Sequence, residues 1–504
     1  MVEASAGLRR FVCIHGHFYQ PPRENPWTRE VEREPSAAPY HDWNERIASE
    51  CYGPNSASPL VGGDGKIVEM VNNYSKISFD FGPTLLHWIE SHYSELHARI
   101  IEADRESATA FSGHGSAIAQ VYNHMIMPLA SPADRRTQTR WGIGDFQRRF
   151  GRYPEGVWLP ETAVDTDTLE VLAEEGIKFT ILSPRQALAI RREGDGGWTD
   201  VSGGKIDTRR AYRYRLPSKQ QISLFFYDDT ISTSIAFGDL LSDGVRMSRA
   251  LLERFSEEES PQMVNVASDG ETYGHHHRNG HVSLARSIWE VQKSGSASMA
   301  NYGLFLSLAP PTYEVRLAEP SAWSCAHGVE RWRSNCGCGS EIKKGYNQEW
   351  RAPLRRSLDW LRDGLKEVYT TEGKLVFDDE GAVLADLGGS GIGTGRGPQE
   401  YVRNHVRRTA DATEIKKGMD LAGLAECSAL MFASCAWFWE DISRPETRQM
   451  LRYAARGIEL ARQVSGKDLE PDFSRILGQA VPNDPSFKSG PGLFRQLVGS
   501  ERSA

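Results

Sequence analysis

Residues 156–164, GVWLPETAV, run a short apolar stretch into Pro160 and then a carboxylate, Glu161. Proline is a poor member of a strand interior, so a strand stops there and Glu161 stands at its end. Other strand-like runs stop on comparable residues. RFVCIHGHFYQPP reaches His15 and His17, FSGHGSAIAQ carries His114, LFFYDDTIS ends on Asp228 and Asp229, and MVNVASDGETYGHHH closes on Asp269, Glu271 and His275. Acids and imidazoles at the ends of several parallel strands suit an active site at one face of an α/β barrel. Two chemistries could use them. Paired carboxylates cleave a glycosidic bond, one attacking the anomeric carbon and the other protonating the leaving oxygen. Histidines with Asp or Glu can instead hold a divalent metal that activates water.

These residues must be positioned by strands alternating with helices, and from about residue 10 to 310 the pattern does alternate. RFVCI, ATAFSG, GVWLP, IKFTILS, QISLFFYD and QMVNVASDGE read as strands, and FDFGPTLLHWIESHYSELHARIIEAD reads as a helix. SPADRRTQTRWGIGDFQRRFG is a second helix, with Ser131 as N-cap, Pro132 at the first position and Gly151 as the stop. DTDTLEVLAEEG is a third, capped by Asp165 and ended by Gly176. Later, Trp350, Leu354, Leu358, Leu361 and Leu365 fall at helical spacing. The glycine-rich stretch 384–399 lacks nucleotide-loop spacing and reads as a linker. ETRQMLRYAARGIELARQVSG is helical again, and the last 35 or so residues, rich in Pro, Gly and Ser, are expected to pack loosely.

At 504 residues the chain is long enough for two or three domains, and its 25% charged and 39% hydrophobic residues are ordinary for a globular protein. A net charge of −8 argues against nucleic acid or an anionic membrane as partner. No apolar run approaches the length of a membrane span, and the N-terminus has no signal-peptide h-region. Seven cysteines suit a reduced, cytoplasmic chain better than a disulfide scaffold. Thirteen tryptophans and 17 tyrosines suit flat apolar sugar faces, although core packing uses the same residues. Nothing in the composition specifies an oligomer.

The strand-end motifs resemble glycoside hydrolase family 57, α-glucan-active enzymes with an incomplete (β/α)7 barrel. HGHFYQPP is similar to the family's first motif, GRYPEGVWLPETAV to its third and ASDGETYGHH to its fourth. The resemblance implies Glu161 as nucleophile and Asp269 as general acid/base, with no cofactor required for catalysis. Two motifs depart. GHGSAIAQVYNHMIMPL has Ser116 where the second motif carries a glutamate, with His124 and Pro128 kept. SCAWFWED has Ala436 where the fifth carries an aspartate, with Glu440 and Asp441 displaced. The later region, with SAWSCAHGVERWRSNCGCG and SCAWFWEDIS, resembles the domain of unknown function 3536.

The expectation is therefore an α/β chain. An incomplete (β/α)7, TIM-like barrel fills 1–310, a Cys/His segment and amphipathic helix (311–383) cover it, and a linker (384–399) leads to a helical region (400–504). The substrate expected is an α-glucan polysaccharide or oligosaccharide, cleaved or transferred with retention. Alternatives are a metal-dependent polysaccharide deacetylase and a non-catalytic glucan-binding protein. Candidate substrate contacts are His15, His17, His114, Trp158, Asp228, Glu271, His275, Trp437 and Trp439. Separately, CAHGVERWRSNCGC places Cys325, His327, Cys336 and Cys338 within 14 residues, a set that could bind a structural zinc. The alternative is reduced thiols packed in a tight loop.

Overall fold

The computed structural model describes residues 9–339, 343–390, 397–407 and 410–501. Two compact units divide the chain. The first joins Met1–Gln20, Arg33–Gln120 and Arg149–Glu319, and the second gathers Pro21–Glu32, Val121–Arg148 and Pro320–Ala504. The segments 21–32 and 121–148, inside the stretch read as one barrel, thus belong to the second unit.

Seven strands of the first unit are linked by parallel pairs or single parallel bridges, the first six in succession and the seventh paired with the first. They are β1 (Arg10–Phe18), β2 (Ser78–Phe81), β3 (Ala119–Gln120), β4 (Val157–Trp158), β5 (Phe179–Leu182), β6 (Gln221–Phe226) and β7 (Gln262–Asp269). β1 pairs with β7 on one side and β2 on the other. Phe79 of β2 bridges to Ala117, just ahead of β3. β3 pairs with β4, Gly156 beside β4 bridges to Phe179, and β5 pairs with β6. Beyond β6, the amide of Asp228 donates to the carbonyl of Asn265 in β7 at 2.8 Å. β1 is buried along nearly its whole length, as expected of a parallel strand covered on both faces. A further sheet extends from β6 through the antiparallel Tyr212–Arg215, and Ser58–Val61 forms a hairpin with Ile67–Val71.

Two elements differ from the sequence reading. Ser78–Phe81 is a strand rather than the start of a helix, which begins at Pro83 and breaks at Tyr93. ATAFSG is the end of the helix Ser94–Ala110 and the turn after it, so the strand comes later, at Ala119–Gln120. The helix Thr166–Glu174 forms as expected, and the Asp165 carboxylate accepts from the Thr168 amide at 2.8 Å.

The second unit is mainly helical. In Arg351–Val376 the stripe Leu354, Leu358, Leu361 and Leu365 is wholly buried. The first part of the glycine-rich stretch is packed rather than a free linker. Trp141 Nε1 donates to the Leu384 carbonyl at 2.6 Å, and a Cβ on Gly388 would lie 2.3 Å from the Trp141 backbone. Glycine there permits a close helix approach. Residues 391–396 of that stretch lie outside the described residues. The C-terminal tail ends in a helix, Gly490–Glu501, that buries Leu493, Phe494 and Leu497, the Phe494 ring meeting Phe473 edge-on at 5.1 Å. Among the described residues no helix is long and apolar enough to cross a membrane.

Candidate active site

Strand register assembles the site. In a strand, residues two apart share a face, and residues paired across parallel neighbours sit side by side, about 4.8 Å apart. His15 pairs with Ser78, and His17 pairs with Asp80 on one side and with Asp269 on the other. Asp80, His17 and Asp269 therefore form one row across β2, β1 and β7. Within it, His17 Nδ1 lies 2.8 Å from Asp80 Oδ2. One step toward the strand starts, His15 makes Nδ1–Ser78 Oγ (3.0 Å) and Nε2–Asp80 Oδ1 (3.1 Å) contacts. Neither ring nitrogen of His15 is left for a metal ion. Trp158, fully buried, stacks on both imidazoles with centroids 4.8 and 5.0 Å away. It is the platform of the histidines rather than of a sugar.

The row sets the local electrostatics. Burial alone would lower His17, but Asp80, aided by Asp269 and Glu271, outweighs it and raises the imidazole to about 9, so it is cationic at neutral pH. His15 is driven down by burial, with Asp80 opposing, so the pair carries one charge rather than two. Asp269 keeps solvent-accessible surface, yet protein crowds it closely enough that desolvation dominates. Its carboxyl rises to about 6, with Glu161 and Asp80 adding to the rise and His17 opposing it. Gly270 follows because a Cβ there would lie 2.2 Å from the Phe18 ring.

Glu161 sits at the end of β4 in a tight turn, Pro160–Thr162, and is partly exposed. Glu161 (φ 58°) and Thr162 (φ 49°) both adopt the left-handed region, costly for residues with a side chain and frequent at functional sites. Gln186 holds the turn: its Nε2 donates to the Thr162 carbonyl at 2.8 Å, and Thr162 Oγ1 donates to Gln186 Oε1 at 2.9 Å. Glu271, two residues past Asp269, is buried, and burial above all lifts its carboxyl to about 7. Its Oε1 accepts from the Tyr52 hydroxyl (2.5 Å) and the Tyr19 amide (3.3 Å), which makes it a local anchor. His275 Nδ1 lies 2.5 Å from Glu50 Oε2, and its ring meets Trp43 edge-on.

Three expected substrate contacts are placed elsewhere. His114 precedes β3 and pairs with Glu155 at 2.8 Å, before β4; Glu155 also binds Lys178, just before β5. That cluster is at the N-terminal end of the strands, opposite Glu161. Asp228 caps the helix Asp229–Ala236, accepting from the Ile231 amide, and pairs with Arg254 at 2.5 Å. Trp437, in the second unit, is fully buried, donates to the Arg351 carbonyl and carries the Arg355 guanidinium 3.9 Å over its ring. Both are structural residues. Trp439 is partly exposed, with Arg444 over its ring at 5.0 Å.

The sequence reading missed four residues. Asp80 was hidden inside a segment read as helix, Tyr52 and Gln186 reach the site from outside the motifs, and Gln120 ends a two-residue strand. Gln120 is buried level with Trp158, and among the described residues its amide N and O find no hydrogen-bond partner. A buried unsatisfied amide costs free energy unless a ligand or water completes it.

Residues 21–313 match the family model of glycosyl hydrolase family 57. This chain belongs to glycosyl hydrolase family 57. Residues 346–504 match a domain of unknown function, DUF3536. Alpha-amylase 1 of Dictyoglomus thermophilum is 21% identical over 199 residues, 39% of this chain and 26% of that relative. The family 57 chain therefore aligns with about a quarter of the length of that curated relative. An exo-type maltose-forming amylase of Pyrococcus sp. ST04 shares its fold with a TM-score of 0.69 at 16% identity, covering 98% of this chain and 92% of that one. A family 57 branching enzyme of Pyrococcus horikoshii follows at 0.55 and 14%, covering 98% and 94%.

Proposed function

We propose that this family 57 chain is a retaining glycosidase or glycosyl-transferring enzyme acting on α-glucans, with its seven parallel strands closing as an incomplete (β/α)7 barrel. Glu161 attacks the anomeric carbon while Asp269 gives its proton to the glycosidic oxygen, leaving a glycosyl ester on Glu161. Asp269, now a carboxylate, then takes a proton from water or from a sugar hydroxyl, whose oxygen displaces Glu161. The observation that carries this reading is the raised Asp269 carboxyl, accessible, electrostatically coupled to Glu161 and in register with cationic His17. Two carboxyls with different environments make the acid and the nucleophile. Gln120 and His17 are proposed to meet sugar hydroxyls.

Incubation with maltooligosaccharides and amylose, with products resolved by length and linkage, tests the reaction. Shorter chains alone mean hydrolysis, redistributed lengths mean transfer, and new α-1,6 branches mean branching. No change in any of these glucans would refute α-glucan activity.

The row also predicts a pH effect. Asp269 must be protonated to act as acid, so kcat/KM is expected to fall above about pH 6. His17 lowers the Asp269 carboxyl, so its removal lets that carboxyl rise. His17→Asn is expected to move the alkaline limb upward, on the order of one pH unit. A limb that stays in place or moves down would break the link between these residues.

A further inference from the structure

Cys325, His327, Cys336 and Cys338 converge in the second unit, each offering one ligand atom, with all four atoms within 4.8 Å of one another. Cys338 Sγ lies 3.5 Å from His327 Nδ1. A tetrahedral zinc with Zn–S bonds of about 2.3 Å holds its sulfurs roughly 3.8 Å apart, so a small contraction would close the set around an ion. The spacings C-x-H and C-x-C are unlike common zinc fingers, and the local backbone supplies what they need. Gly337, between Cys336 and Cys338, is left-handed (φ 82°), as is Gly328 (φ 79°) after His327. The turn at Gly337 lets the Cys338 amide donate to Cys336 Sγ at 3.4 Å.

A second observation is independent of the spacing. Arg351 is wholly buried, and among the described residues no carboxylate pairs with it. Its Nη1 faces Cys336 Sγ at 3.7 Å and Gln348 Oε1 at 2.7 Å, and its Nη2 reaches the carbonyls of Cys338, Phe438 and Trp439 at 3.2–3.4 Å. A buried guanidinium needs a negative partner. Three thiolates around one dication carry a net charge of about −1, which is that partner.

We propose that Cys325, His327, Cys336 and Cys338 bind one structural zinc ion, which through Arg351 fixes the Phe438–Trp439 backbone of the second unit. With all four positions filled by protein, the site is closed and takes no part in catalysis.

The test uses the full chain, purified under reducing conditions without chelator and then offered zinc chloride. Elemental analysis is expected to find one zinc per chain after buffer exchange. Cys336 and Cys338 are expected to resist iodoacetamide until a chelator is added. Removal of zinc should lower Tm and speed amide exchange over both 325–338 and 435–441. Cys336→Ser with Cys338→Ser is expected to lose the zinc. Should that variant not fold, the alkylation of the native chain still decides. Less than about a tenth of an equivalent of zinc, thiols alkylated equally fast with and without chelator, or a Cys336–Cys338 disulfide in the reduced preparation would each overturn the proposal. So would full zinc content in the double variant. Exchange that changes at 325–338 alone would overturn the coupling through Arg351.

Discussion

Glu161→Gln is expected to lower turnover of maltooligosaccharides by about 10⁴-fold or more, roughly 5.5 kcal/mol of transition-state stabilisation, while glucan binding changes only several-fold. The amide is nearly isosteric with the carboxylate but cannot form the glycosyl ester. The loss should therefore fall on kcat rather than on affinity. The turn that carries the residue should survive, because Gln186 grips both the carbonyl and the hydroxyl of Thr162. Tm is thus expected to stay close to that of the native chain, which separates chemistry from folding. A Glu161→Gln chain with near-normal turnover would refute the nucleophile assignment, and with it the retaining mechanism. A chain that is inactive even with Glu161 and Asp269 both present, yet still binds amylose, would favour a glucan-binding protein.

What the sequence made legible was the chemistry at strand ends. Glu161, Asp269 and His17 announce themselves because a carboxylate or imidazole after an apolar run needs a reason to be there. Their mutual arrangement was not legible. That His17 stands between Asp80 and Asp269 follows from pairing register, which connects residues more than 60 and 250 positions apart and leaves no local trace. Asp80 was lost because Ser78–Phe81 spans only four residues and leads within two positions into a strongly periodic helix. β3, two residues long, has no period to read. His114 and Asp228 were misread for different reasons. His114 follows the end of a helix rather than of a strand, which places it at the opposite end of the strands from Glu161. Asp228 lies past a real strand but opens a helix, where its carboxylate satisfies the Ile231 backbone amide. Trp437 shows the limit of composition, since a tryptophan suited to a sugar face suits a core equally well.

The largest remaining choice in the site is which of two raised carboxyls gives the proton, and Asp269→Asn addresses it. Glu271 rises to about 7 and Asp269 to about 6, so each is protonated to a useful degree near neutral pH. At pH 6 an ordinary aspartic acid is under about 1% protonated, whereas one raised to about 6 is roughly half protonated. Accessibility separates the two. Glu271 is buried, with the Tyr52 hydroxyl and Tyr19 amide on one oxygen, whereas Asp269 keeps surface open to solvent. Asp269→Asn is therefore expected to lower turnover of natural glucans by about 10²–10⁴-fold. Aryl glycosides whose leaving group departs without a proton should lose far less. The alkaline limb of kcat/KM should also vanish on the aryl substrates, because the amide does not titrate there. An equal loss on every leaving group, with the limb still present, would exclude Asp269 as the acid. Glu271→Gln would then be the variant that removes the limb, and Tyr52, the donor to Glu271, would become the group through which its proton is positioned.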